Sequence, residues 1–379
     1  MQARAKLTVN LQTLGDNLQT LSHLAPNNEI LFMVKANGYG HGMSSIVDYA
    51  HCECSVNNFG CASLLEALQL RRDLPEHRFN IYIFSDTKLL GKPERDLYLD
   101  NNLLPVVANL DELEAFLSDK ECGHLPISLK FNTGMNRLGL ALDELERVVE
   151  LLKRAGRKSV HHLLSHFALS TDCCQDGAPH PFTAEQYKNF QQIKKEFKGA
   201  GIELECTSMA NSAAIEQQYT LGESHIRPGM MLYGPTSMSV DSRHHSRWSG
   251  KVISTLQTTV LKRFTIKAGE PTGYGAKTMD KDGVVIIVSI GYGDGFARSY
   301  QGVKLQIDGI EGELAGRVNM DMAQIFFAGK SDVNQFKVGD IVTIWGQSCG
   351  NLLSIADQAN TITYEVLSGL TSRVERQYV

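Results

Sequence analysis

The residues of this chain best placed for chemistry are basic and phenolic side chains that interrupt apolar runs. Lys35 is the clearest. The run from Ile30 to Val34 stops at this lysine, and glycines follow at 38, 40 and 42. Short apolar runs that end at glycine read as buried strands. Lys35 is therefore expected at the carboxyl end of a buried strand, pointing into whatever the strand tips enclose. A lysine is rarely buried without a partner. Two partners fit: a carboxylate at the strand end, or an aldehyde with which the amine forms an imine.

Other basic and polar residues recur at similar places. Lys130-Phe-Asn-Thr-Gly-Met-Asn-Arg137 follows one apolar run, and the planar fork of Arg137 suits two oxygen acceptors. An exposed loop arginine is the plain alternative. His166 ends another run, where a strand histidine is ordinarily structural, as read for His161 and His162. Asn211-Ser212 reads as a helix start, which serves as an N-cap or as an anion site. Arg227 lies in Ile226-Arg227-Pro-Gly229-Met230, and an arginine does not readily give up its proton.

The elements that must position these residues alternate. Leucines at 11, 14, 18 and 21 give one apolar helical face. Strands are expected near 30–35, 58–63, 80–85, 103–109, 127–132, 160–167, 203–209 and 225–233, with helices between most of them, clearest at 141–155 and 184–199. Eight such units predict an α/β fold, a (β/α)8 TIM-type barrel over 1–235 whose site lies at the carboxyl ends of the strands. After Gly234 the pattern changes to glycine-separated strands at 252–264, 284–290, 303–307, 322–327 and 341–345. That predicts a mostly-β domain over 236–379. Residues 6–9 are a candidate to pair with it.

Composition narrows the function classes. With 42% hydrophobic and 21% charged residues, the chain reads as globular. A net charge of -5 gives no basic footprint for nucleic acid. No run reaches membrane-spanning length, and no apolar segment follows the charged N-terminus, so a cytoplasmic protein is expected. The 8 cysteines are scattered, as in a reducing compartment. His51-Cys52-Glu53-Cys54 and Cys173-Cys174 lack the paired spacing of a structural zinc site, and no metal is expected.

Val34-Lys-Ala-Asn-Gly-Tyr-Gly-His-Gly42 resembles the attachment signature for pyridoxal 5'-phosphate (PLP) in the alanine racemase family. Similar motifs follow in family order: those around Arg137, His166, Ser212 and Arg227, then Thr272-Gly-Tyr274, Gly291-Tyr-Gly-Asp-Gly295, Gly316-Arg-Val-Asn-Met320-Asp321 and Thr361-Ile-Thr-Tyr364. The resemblance covers nearly the whole chain. It implies a PLP-dependent amino-acid racemase with two bases, Lys35 and Tyr274, supplying D-alanine for peptidoglycan.

The resemblance also implies a role for each matched position. Lys35 carries the cofactor. Tyr39, Asn211, Ser212, Gly229, Met230 and Tyr364 hold its phosphate region, and Arg227 pairs with the pyridine nitrogen. His166 lies beside the ring. Arg137 contacts the phenolic oxygen and the substrate carboxylate, steadied in some relatives by a carbamylated lysine that Lys130 matches. Met320 and Asp321 bind substrate. Tyr274, Met320 and Asp321 enter the neighbouring subunit's site, implying a homodimer with shared active sites. The chain departs from the family at Asn132 (usually aspartate), Ser208 (histidine in some), Asn319 (often cysteine) and in the 373–376 segment. A racemase acting on serine, lysine or several amino acids is the nearest alternative. A non-catalytic PLP protein of this fold would lack the β domain, and the Arg227 and Tyr274 matches argue against a barrel decarboxylase.

Overall fold

Eight short apolar runs close on one another. In the computed structural model, which describes residues 4–329, 336–347 and 350–379, a first strand, β1 (Ala5–Val9), precedes the barrel. Then come β2 (Glu29–Met33), β3 (Asn58–Ser63), β4 (Asn80–Asp86), β5 (Leu103–Val107), β6 (Ser128–Lys130), β7 (Ser159–Leu164), β8 (Glu203–Asn211) and β9 (His225–Arg227). These eight pair in sequence order, all parallel, and β9 returns to β2 through Glu29–His225 and Ile30–Ile226. Strands covered on both faces need apolar residues without alternation. β5, Leu-Leu-Pro-Val-Val, is buried at all five positions.

Helices cover the barrel. Leu11–Leu24 is started by Asn10, whose side-chain oxygen accepts from Thr13 N–H at 2.8 Å. It buries Leu14, Leu18 and Leu21, each contributing about 1.5–3 kcal/mol of burial. The helices expected at 141–155 and 184–199 are Leu145–Arg154, preceded by a 3-10 turn, and Pro181–Gly199.

The mostly-β second part is present. It is built from β10 (Ser254–Ile266), β11 (Pro271–Thr272), β12 (Lys277–Thr278), β13 (Gly283–Val288), β14 (Lys304–Ile307), β15 (Ile310–Leu314), β16 (Ala323–Ala328), β17 (Ile341–Trp345) and β18 (Glu375–Tyr378). Its main sheet runs β14-β15-β16-β13-β10-β1-β18, with β17 also on β10. The first strand of the chain thus lies antiparallel to β10 and parallel to β18, the pairing left open by the sequence. Two helices there were not expected, Gly350–Gln358 and Thr363–Ser368. The first has helical spacing, burying Leu352, Ile355 and Ala356.

Five expected barrel strands stop early, among them β5 at Val107 and β6 at Lys130. β2 ends at Met33, and residues 36–39 all have φ between 50° and 61°. β7 ends at Leu164. β9 ends at Arg227 because Pro228 has no N–H for the ladder, and Met230–Tyr233 form a 3-10 turn. Early endings leave more loop at the carboxyl rim. The two parts share one large core in which Leu7, Tyr233, Leu256 and Trp345 are all buried. At Gly40 (φ 84°) an added Cβ would lie 2.2 Å from the Leu367 carbonyl oxygen, so the rim touches the second part too closely for any side chain there.

Candidate active site

The carboxyl ends of the barrel strands converge on one cavity. Lys130, Asn211 and Arg227 are the last residues of β6, β8 and β9, while Lys35 and His166 lie two residues beyond β2 and β7. All five line the cavity, together with Tyr39, Arg137, Ser212, Gly229 and Tyr364. Its lining includes four basic side chains and no carboxylate. That balance suits an anionic ligand.

Lys35 emerges from a left-handed turn that Glu66 organises. The two carboxylate oxygens of Glu66 accept from the N–H of Ala36 (2.8 Å) and of Ala62 (2.7 Å). Glu66 is itself placed by Ser63, the N-cap of Leu64–Asp73, whose Oγ accepts from Glu66 N–H at 3.2 Å. Sequence reading passed over Glu66, although Ser63-Leu-Leu-Glu66 has the capping-box spacing. Burial, then the Arg137 guanidinium, lowers the proton affinity of Lys35, and Glu66 partly opposes them.

Lys130 is pushed down to about 8 by burial, then by Arg137, Arg227 and Lys35. The loop between Lys130 and Arg137 is organised by Asn132, whose side-chain oxygen accepts from Gly134 N–H (3.1 Å) and Asn136 N–H (2.9 Å). An amide performs that turn function without adding charge. His166 is held far below its usual range by burial and then by Arg227. Gln186 Nε2 donates to its carbonyl at 3.1 Å.

Arg227 is fully enclosed, and burial lowers it to about 10. Its guanidinium donates to Ser208 Oγ, to the Ser165 carbonyl and to the Met209 carbonyl. None of these partners is a carboxylate. Ser208 also lies 2.8 Å from His162 Nε2. His162 is therefore no isolated strand residue, whereas His161 pairs with Tyr82 and Glu205 on the outer side.

The cavity also presents hydroxyls and a backbone N–H, grouped around Gly229 and Tyr39. Ser212 Oγ accepts from Gly229 N–H at 2.9 Å. A Cβ at Gly229 would lie 2.6 Å from the Tyr39 hydroxyl, so only glycine leaves this cradle open. Tyr364 arrives from the second part, with its hydroxyl 2.9 Å from Ser237 Oγ and its ring 5.8 Å from that of Tyr39. Burial raises both phenols, that of Tyr364 to about 12. Both therefore stay protonated and can donate. Met230 is buried in the 3-10 turn behind Gly229 and does not line the cavity.

Tyr274, Met320 and Asp321 are elsewhere. Tyr274 is 69% exposed in the turn between β11 and β12, and Met320 is 52% exposed. Asp321 pairs with Arg373 at 2.7 Å. None of the three lines the cavity of its own chain. Asn319 is held by its backbone N–H to the Met322 carbonyl at 2.9 Å.

Residues 9–237 match the family described as Alanine racemase, N-terminal domain, and residues 253–378 match Alanine racemase, C-terminal domain. The alanine racemases of Aliivibrio salmonicida and Shewanella loihica are each 31% identical to this chain, over 99% of both sequences. The solved alanine racemase of Acinetobacter baumannii superposes with a TM-score of 0.86 at 30% identity, covering 100% of each chain. That of Bartonella henselae, with covalently bound pyridoxal phosphate, gives 0.84 at 25% identity over 100% of each. Two matched domains, full-length relatives and a basic cavity at the barrel rim agree: this chain belongs to the alanine racemase family.

Proposed function

We propose that this chain is a PLP-dependent alanine racemase that interconverts L-alanine and D-alanine at sites shared by two copies of the chain. The carrying observation is the convergence of Lys35 with Lys130, Arg137 and Arg227 in one carboxylate-free cavity that is also lined by the hydroxyl residues Tyr39, Ser212 and Tyr364. The donor set fits the cofactor. The Gly229 cradle and the protonated phenols of Tyr39 and Tyr364 suit a phosphate, and the lowered proton affinity of Lys35 suits an amine that must react with an aldehyde.

When bound, PLP draws electrons from the Cα of an attached amino acid and makes its proton removable. Lys35 Nζ is the attachment point and then the base on one face. Tyr39, Asn211, Ser212, Gly229 and Tyr364 would hold the phosphate region, with Met230 contributing only its backbone N–H from behind Gly229, and His166 would accompany the ring. Arg137 offers its fork to the phenolic oxygen and the substrate carboxylate. Arg227 keeps its protons at neutral pH, since even about 10 is well above it. It would therefore give the ring nitrogen a hydrogen bond but no full proton, an arrangement that would favour racemisation over transamination.

The opposite face needs a second base, because one fixed group cannot reach both. In this reading Tyr274 is that base, and it comes from the partner subunit with the Met320-Asp321 segment, where the Met320 backbone N–H would meet the substrate carboxylate and Asp321 would complete the substrate site. The exposure of Tyr274 and Met320, and their absence from their own chain's cavity lining, support a shared site. We place the domain division at 235/236, the protein in the cytoplasm, and its product in peptidoglycan. Among the described residues no helix is long and apolar enough to cross a membrane.

Racemisation rates across a panel of L-amino acids, with PLP added, test the proposal. Alanine is expected to turn over fastest. Faster turnover of serine or lysine would replace the substrate assignment, and no turnover of any amino acid would remove the enzymatic reading.

A further inference from the structure

The outer face of the barrel carries a second cluster of chemically competent side chains, separate from the cavity. Asp48 and Cys52 are one helical turn apart near the end of Met43–Cys52, so both project from the same face. His77 meets them from the connection between Leu64–Asp73 and β4. His77 Nε2 is 2.7 Å from Asp48 Oδ1 and 3.9 Å from Cys52 Sγ, and Cys52 Sγ is 3.8 Å from Asp48 Oδ1. Of the run His51-Cys52-Glu53-Cys54, only Cys52 belongs to this cluster.

We propose that Asp48, Cys52 and His77 form a binding site for a divalent zinc-like cation, with water as the fourth ligand. The donor set decides the class of ion. Thiolate and imidazole favour zinc and its borderline-soft neighbours over calcium or magnesium, which take oxygen ligands. The geometry is close to that required. Metal–ligand bonds of about 2.0–2.3 Å at tetrahedral angles put donor atoms roughly 3.3–3.6 Å apart. Both distances to sulfur lie within a few tenths of an ångström of that range. The Asp48–His77 contact must open by about half an ångström, a small rotation for an aspartate whose side chain is 51% exposed.

His77 is already oriented. Its ring lies edge-on to that of His51, with centroids 5.4 Å apart, and beside Phe79 at 6.5 Å. His51 is fixed in turn by its Nδ1, 3.1 Å from the Val56 carbonyl. Two of the three ligands share a helix face and the third is braced, so little freedom is lost on binding. The cation replaces the thiol proton of Cys52, which leaves to solvent, and takes neutral His77 through Nε2. The bound ion would tie the helix that follows the Lys35 turn to the connection entering β4.

Alkylation of the PLP-loaded chain by iodoacetamide, read cysteine by cysteine by peptide mapping, tests the site. The thiolate is the reactive form, and a metal-bound thiolate reacts slowly, so one equivalent of zinc is expected to slow labelling of Cys52 by about tenfold. Cys54 should be unaffected. Asp48→Asn, at an exposed position, and His77→Ala, at a half-buried one, should each abolish the protection. Cobalt should give the visible bands of a tetrahedral sulfur-ligated ion in the parent chain and not in Cys52→Ser. Equal labelling of Cys52 with and without zinc would overturn the site. So would protection that survives both Asp48→Asn and His77→Ala.

Discussion

His162 Nε2 lies 2.8 Å from Ser208 Oγ, in a pair sealed from solvent behind the cavity. Arg227 donates to the same oxygen. A guanidinium only donates, so the single proton of Ser208 is available to His162 Nε2. Burial holds the imidazole far below its usual range, so it is neutral and has one ring nitrogen free to accept.

His162→Leu is therefore expected to leave the Ser208 hydroxyl without an acceptor and to loosen Arg227. A buried unsatisfied group costs about 1–3 kcal/mol, to be measured as lost stability in urea. PLP affinity should fall as well. His162→Gln, which can still accept, should recover most of both. Equal behaviour of the Leu and Gln variants would mean that the pair only fills space.

Lys35→Ala should abolish the visible absorbance of covalently held PLP. In the parent chain, borohydride reduction and peptide mapping should place the label on Lys35. A label on Lys130, the other cavity lysine, would refute the attachment assignment.

Arg227→Glu should slow racemisation and increase transaminated cofactor, because a carboxylate beside the ring nitrogen favours its protonated form. Chromatography of released cofactor after prolonged turnover reads the partition. An unchanged partition would remove the argument from Arg227.

Lys130 makes stability depend on pH. In the PLP-free chain its folded value is about 8, below the usual lysine value of 10.5. Between those values the unfolded chain binds more protons, so stability rises with pH across the window. Below pH 8 the full cost of a buried ammonium is present, roughly 2–4 kcal/mol for a shift of this size. Lys130→Met should accordingly be more stable than the parent at pH 7, with the gap closing towards pH 10.5. Urea unfolding at a series of pH values measures it, and a constant gap would contradict the assignment.

Lys35→Ala and Tyr274→Phe chains should each be inactive alone. A mixed dimer has one site with both lesions and one with Lys35 and Tyr274 intact from different chains. Subunit exchange, verified with two affinity tags, should restore up to about half the activity per dimer. Verified heterodimers without activity would mean that both bases come from one chain, or that Tyr274 is not the second base.

The sequence by itself determined the barrel and the list of chemical residues. Uninterrupted apolar runs such as Leu103–Val107 can be satisfied only between two covered faces. Lys35 stood out because it ends such a run, and Arg227 because its motif resembles the family's. The sequence also separated the two parts, through the loss of long helices after Gly234, though it hid Gly350–Gln358 among short strands. Tertiary structure decided what those residues meet. Tyr364 reaches Tyr39 across 325 positions of chain, His162 stands behind Ser208, and His77 folds back on Cys52. It also left Tyr274 and Met320 outside their own cavity. Periodicity records which face of an element is buried, because burial acts on each residue separately. Which two buried or exposed groups become neighbours depends on how whole elements pack, and no local pattern carries that.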